Sequence, residues 1–162
     1  MNAGDGDSML TFARSLPEND LLFTTIDLTT PEAIDYWVRN IESGSIITIL
    51  AEVDGKLAGF GTLHHNRLFW TRHLGEVELL IDPKQRGLGL GKLLANEIFA
   101  LSQEMSLRKL ISRMASEQRG AIRVFEHLGF HAEALLADHV ISRDGRTHDL
   151  VLMAHDITGF TE

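Results

Sequence analysis

Residues 76–94 read Glu76-Val77-Glu78-Leu79-Leu80-Ile81-Asp82-Pro83-Lys84-Gln85-Arg86-Gly87-Leu88-Gly89-Leu90-Gly91-Lys92-Leu93-Leu94, and their character changes twice. The segment up to Ile81 is dense enough in apolar residues for a strand, and Asp82–Pro83 closes it, because proline cannot donate to a ladder. Gly87, Gly89 and Gly91 then alternate through a turn that opens directly into an amphipathic helix. The first four amides of a helix have no intrahelical acceptor, and its N-terminus carries about half a positive charge. Glycines let a ligand approach those amides without a Cβ in the way. Arg86 and Lys92, with Lys84 nearby, form the local basic cluster of an otherwise acidic chain. The pattern therefore predicts an anion cradle.

Elimination narrows the anion. A P-loop needs four residues before its Gly-Lys and a Ser or Thr after it. Here three separate Gly87 from Gly91, and Leu93 follows Lys92, so nucleotide-triphosphate chemistry is excluded. A dinucleotide fingerprint needs a third glycine in a parallel strand-helix-strand unit. The position where it would fall is Leu94, and the preceding strands read as antiparallel hairpins.

Working outward, Ser45–Val53 and Lys56–His65 flank Asp54–Gly55, a strong hairpin signal. Leu74–Ile81 continues the meander. The helix after the glycine turn runs from about Gly89 to Gln103, with Leu90, Leu93, Leu94, Ile98 and Leu101 apolar. Lys109–Met114 reads as a strand and Glu117–His127 as a helix. Strands Phe130–Ser142 and Thr147–His155 join at Arg143–Asp144–Gly145–Arg146. Towards the N-terminus, Ile34, Trp37, Val38 and Ile41 recur at helical spacing behind Thr30 as cap and Pro31 at the first turn. Leu21–Leu28 reads as a further strand, and residues 1–20 as a loose leader. The expectation is a single α+β domain over 21–162, a mixed and mostly antiparallel sheet of about seven strands with helices on both faces.

Arg86-Gly87-Leu88-Gly89-Leu90-Gly91, set between a strand and a helix, resembles the acetyl-CoA motif of the GNAT N-acetyltransferases. Ala121-Ile122-Arg123-Val124-Phe125-Glu126-His127-Leu128-Gly129-Phe130 is similar to that family's second helix and its closing Leu-Gly-Phe. The resemblance covers roughly 45–156. It implies acetyl-CoA as co-substrate, with its pyrophosphate on the amides of Gly87, Leu88, Gly89, Leu90, Gly91 and Lys92, and Arg86 close by. The pantetheine arm would lie along Leu79, Leu80 and Ile81 like an added strand, between splayed strands 74–81 and 109–114. Gln118 stands where an Asn often meets that arm. Phe125 stands where many members carry a tyrosine that protonates the leaving thiolate, which phenylalanine cannot do.

Direct acetyl transfer to an amine needs positioning and a group that removes the ammonium proton. Glu76 and Glu78 lie two apart on the entering strand and so share a face; they are the candidate bases. A backbone amide of Leu80 or Ile81 is the candidate donor to the thioester carbonyl. A single helix between the first two strands leaves the acceptor site open or completed by a second copy of the chain, a homodimer. The last hairpin supplies His139, Arg146, His148 and Asp149 as another candidate wall. The acceptor is expected to be a small-molecule or amino-acid-like amine. Two further readings stay open: a CoA-binding domain without turnover, and a dinucleotide-dependent enzyme.

Composition excludes other classes. The 162 residues are 44% apolar and 23% charged, with 23 acidic residues against 15 Lys and Arg and a net charge of −8. An acidic surface disfavours nucleic acid. With no cysteine there is no disulfide framework and no thiolate nucleophile. His64 and His65 point to opposite strand faces, so the eight histidines yield no metal site. No apolar run reaches the length of a membrane span, and the first twenty residues lack a signal-peptide layout, so a soluble, cytoplasmic protein is expected.

Overall fold

The computed structural model describes residues 1–157. Three helices open the chain: α1 (Gly6–Ser15), the single-turn α2 (Glu18–Leu21) and α3 (Pro31–Glu42). Then follow β1 (Ile46–Val53), β2 (Lys56–His64), β3 (Leu74–Ile81), α4 (Leu90–Glu104), β4 (Lys109–Ala115), α5 (Arg119–His127), β5 (His131–Ile141) and β6 (Thr147–Asp156). The sheet has six strands in the order β1-β2-β3-β4-β6-β5, antiparallel except where β3 meets β4. The mixed, mostly antiparallel architecture is the expected one, with six strands in place of about seven.

The two differences lie before residue 30. Leu22–Leu28 is irregular and joins no ladder. Its backbone is held by scattered contacts, with the amide of Thr24 donating to Leu21 and that of Arg143 donating to the Leu22 carbonyl. The β-branched character that reads as a strand here serves burial instead, since Leu21 and Leu28 enter the core. Residues 6–15 are also not a loose leader. Met9, Phe12 and Ala13 make a buried stripe at helical spacing, and the Phe12 ring meets Phe60 edge-on at 6.5 Å. Tertiary packing orders a segment whose short amphipathic stripe is too weak to stand alone.

The two faces of the sheet bury two clusters. Met9, Phe12, Leu28, Trp37, Ile46 and Phe60 fill the face under α1 and α3. Leu63, Val77, Ile98, Leu110, Phe125 and Met153 fill the face under α4 and α5. Strand alternation divides β3 accordingly: Val77 and Leu79 face α4, whereas Glu76, Glu78 and Leu80 face α3. The α3 helix is capped by Thr30, whose hydroxyl accepts from the Ala33 amide, with Pro31 at the first turn. Its Trp37 packs against Phe60 at 4.9 Å, and the indole N–H donates to Thr48 Oγ1 at 2.9 Å, so burial leaves no orphaned donor. Among the described residues no helix is long and apolar enough to cross a membrane.

Candidate active site

The loop from Asp82 to α4 stays open. Asp82 caps a short 3-10 turn, its carboxylate accepting from the Lys84 amide, and the Arg86 amide donates back to Pro83. Beyond it, Gly87 and Gly89 adopt left-handed backbone at φ 80° and 81°, which glycine reaches without penalty. A Cβ built at Gly87, Gly89 or Gly91 meets nothing within 4 Å. No side chain caps α4 and its first turn holds no acidic residue. Among the described residues the amides of Gly87, Leu88, Gly89, Leu90, Gly91 and Lys92 donate to no backbone or side-chain acceptor; the Leu93 amide is the first to bond back, to Gly89. The result is a run of unsatisfied donors at the positive end of a fifteen-residue helix. Lys84 and Lys92 are exposed beside it. Arg86 is turned away, its guanidinium paired with Asp20 of α2.

The strand leading into the cradle is half unpaired. β3 and β4 are in register at three positions only, Leu74 with Lys109, Gly75 with Leu110 and Glu76 with Ile111. The buried Ser112 hydroxyl then donates to the Val77 carbonyl at 2.9 Å, and past that point the strands separate. The Asp82 amide donates to Ala58 of β2, so alternation turns the main-chain groups of Leu80 towards β2 and those of Leu79 and Ile81 into the gap. The gap therefore offers the donors and acceptors of two of the three predicted residues. Leu80 gives its backbone to β2 and its side chain to the core under α3.

On the α3 face of the same strand lies a cavity of about 210 Å3, walled by Thr25, Tyr36, Trp37, His64, Glu76 and Glu78 among others, with Arg113. Glu76 is fully engaged: Arg113 Nε and Nη2 donate to its two oxygens at 2.5 and 2.9 Å. That hydrogen bond, opposed by burial and aided by the charges of Glu76 and Glu78, raises the Arg113 pKa above its usual range. Glu78 has the freer carboxylate. Thr25 Oγ1 donates to it at 2.6 Å, Thr62 Oγ1 lies at 3.5 Å, and His64 Nε2 is 3.4 Å from Oε2 but off line for a full hydrogen bond. Burial pushes the Glu78 carboxyl up; the nearby His64 ring, the Thr25 hydroxyl and the charge of Arg113 outweigh it and hold the group below its ordinary value. A second cavity, of about 350 Å3, adjoins through the shared Thr25 and Arg113 and is lined by Phe23, Gln118, His139 and Ile141 among others.

A family model described as "Acetyltransferase (GNAT) family" matches residues 14–130. The chain belongs to the GNAT acetyltransferase family. It is similar to a GNAT acetyltransferase structure from Streptococcus pneumoniae, 23% identical with a TM-score of 0.79 over 96% of each chain. It is similar also to spermidine N-acetyltransferase from Vibrio cholerae in complex with CoA and spermine, 18% identical with a TM-score of 0.79 over 98% of this chain and 93% of that one. The Bacillus subtilis protein YwnH is 24% identical over 132 residues, 80% of this chain and 79% of its own length. Acetyl-CoA is the co-substrate of GNAT enzymes, and this chain is an acyltransferase of that kind. Its open cradle and half-unpaired strand fit that group.

Other GNAT expectations are placed differently. Phe125 is buried in the core under α4 and α5, edge-on to Phe130 at 4.9 Å. The Gln118 carbonyl accepts from the Ala115 amide at 2.9 Å, and the side chain lines the second cavity. Of the last hairpin, His139 reaches that cavity. His148 is instead structural, its Nδ1 2.7 Å from Glu117, its Nε2 2.8 Å from Ser142, and Phe23 edge-on to its ring. Asp149 accepts from the Asp138 amide. Four cavity residues escape a reading by local motif: Thr25, Tyr36, His64 and Arg113. Of these His64 carried a usable signal, since hairpin pairing and alternation put it on the face of Glu76 and Glu78.

Proposed function

We propose that the protein transfers an acetyl group from acetyl-CoA to the primary amine of a small-molecule or amino-acid-like acceptor, by direct attack in a ternary complex. The observation that carries this reading is the division of labour within β3: Glu78 projects into the cavity, while the next residue, Leu79, turns its main-chain groups into the gap. One strand thus presents an anionic amine site on one face and an extended-chain site along its edge.

Acetyl-CoA, when bound, supplies the acetyl group as an activated thioester. The amides of Gly87 to Lys92 would hold its pyrophosphate, Leu79 and Ile81 would pair with its arm, and the Leu79 or Ile81 N–H would be the donor for the carbonyl oxygen. Glu78 receives the acceptor's ammonium and directs its proton away, while Glu76, neutralised by Arg113, shapes the floor. The cavity is lined by residues of α3, the 22–28 segment and β1 to β4.

The test is free-thiol release from acetyl-CoA over a panel of amines. Glu78→Gln is expected to lower kcat by about 10²- to 10⁴-fold while the acetyl-CoA KM changes little; equal turnover removes Glu78 from the mechanism. A second reading, a CoA-binding domain without turnover, draws on the buried Phe125, which offers no proton to a leaving thiolate. CoA binding with no thiol release for any amine favours it.

A further inference from the structure

We propose that His64 is the proton-accepting partner of Glu78, drawing through that carboxylate the proton that the acceptor's ammonium must shed. The inference rests on the amine-site reading above and goes beyond it in naming where the proton goes.

The observation is an unpaired nitrogen. His64 Nε2 is covered by protein and makes no hydrogen bond, yet lies 3.4 Å from Glu78 Oε2. A buried polar atom without a partner is costly, and native folds retain few of them. The His64 side chain is 36% exposed and that of Glu78 27%, so the ring gives the carboxylate's proton a further path to solvent. Register makes the placement rigid: His64 pairs with Glu76 and Thr62 with Glu78 across β2 and β3, so all four side chains share one face.

The neighbouring groups assign the roles. From β3, Glu76 has both oxygens on Arg113; from β4, Arg113 is committed to that pair; from α3, Tyr36 faces the same cavity; from the 22–28 segment, Thr25 donates to Glu78. Glu78 is thus the carboxylate left to meet an ammonium. Held below its ordinary value, it binds the cation well but keeps a proton poorly. An imidazole is roughly two units more basic than a carboxylate in water. The transfer is balanced: one ammonium N–H bond breaks as a Glu78 O–H bond forms; that O–H breaks as Nε2–H forms; the carboxylate is regenerated, the amine keeps its lone pair, and the imidazolium later releases its proton to water.

Two measurements test this. In thiol-release assays His64→Gln is expected to lower kcat tenfold or more at pH 7, with the acetyl-CoA KM within twofold. It should also displace the acid limb of the kcat/KM profile for the amine, with partial rescue by imidazole in the buffer. A His64→Gln enzyme with the wild-type profile and kcat within twofold overturns the proposal. Independently of turnover, long-range 1H–15N correlation on histidine-labelled protein should find Nε2 unprotonated at pH 8. A protonated Nε2 at pH 8 overturns it as well. A wild-type protein that acetylates no amine overturns the reading of the cavity, and the resonance measurement then decides the His64–Glu78 coupling alone.

Discussion

At the scale of single residues, Glu76 and Glu78 have the same chemistry and the same strand face but different partners. Both carboxylate oxygens of Glu76 are bound by Arg113, so Arg113→Ala strands an acid in a cavity wall, whereas Glu76→Gln leaves a guanidinium half-bonded. Arg113→Ala is expected to raise the acceptor KM at least tenfold and leave CoA affinity within twofold, since the CoA cradle lies elsewhere; steady-state kinetics with calorimetry checks both, and weakened CoA binding would show that the two sites are not separable in this way. Strand alternation alone made the shared face of the two glutamates legible. The separation of their roles was not, because Arg113, Thr25 and Tyr36 come from β4, the irregular segment and α3, and only the closed fold brings them together.

Elements were legible where local signals agree. Asp54–Gly55, Asp82–Pro83 and the alternating glycines place β1 to β3 and α4 within a residue or two of their observed bounds. Residues 1–28 were misread because their apolar residues answer to distant partners: Met9 and Phe12 to the sheet face under α1, Leu22 to the β5–β6 hairpin. Close packing of α4 on the sheet depends on Gly61, where a Cβ would stand 2.7 Å from Ile98 Cδ1 and 3.0 Å from Leu79 Cδ2. Gly61→Val is expected to cost about 1–3 kcal/mol, read as a lower urea midpoint at unchanged slope, and a variant as stable as wild type would show that α4 is free to shift. The hairpin is latched by His148 between Glu117 and Ser142 and under Phe23. Deleting that ring in His148→Ala should speed amide exchange at Arg143, whose N–H donates to the Leu22 carbonyl; unchanged exchange there would mean the latch lies elsewhere.

For the molecule as a whole, several carboxylates are held below their ordinary values. Asp27 is lowered chiefly by the Thr29 hydroxyl, Glu117 by His148 and Asp144 by Ser142, and Glu78 is lowered despite its burial. The unfolded chain binds more protons at these groups as pH falls, so their contribution to stability is present above the ordinary glutamate value of 4.5 and is lost as pH drops through the lower folded values. Thermal midpoints should therefore be flat between pH 6 and 7 with respect to these carboxylates and decline steeply below about pH 4.5; a midpoint that rises on acidification would contradict the sign.

The proposed CoA site depends on the free amides at the start of α4. Calorimetric titration of CoA into wild type, Gly89→Asn and Gly89→Asp tests them most directly. Asn and Asp are the residues that best tolerate the left-handed backbone that Gly89 adopts, and a side chain there meets open space, so both variants should fold, with melting points lowered alike by the backbone strain. Gly89→Asn should weaken CoA modestly through bulk, and Gly89→Asp should abolish detectable binding by setting a negative charge where the pyrophosphate sits. Wild-type affinity in Gly89→Asp would show that the diphosphate is held somewhere else and would contradict the assignment.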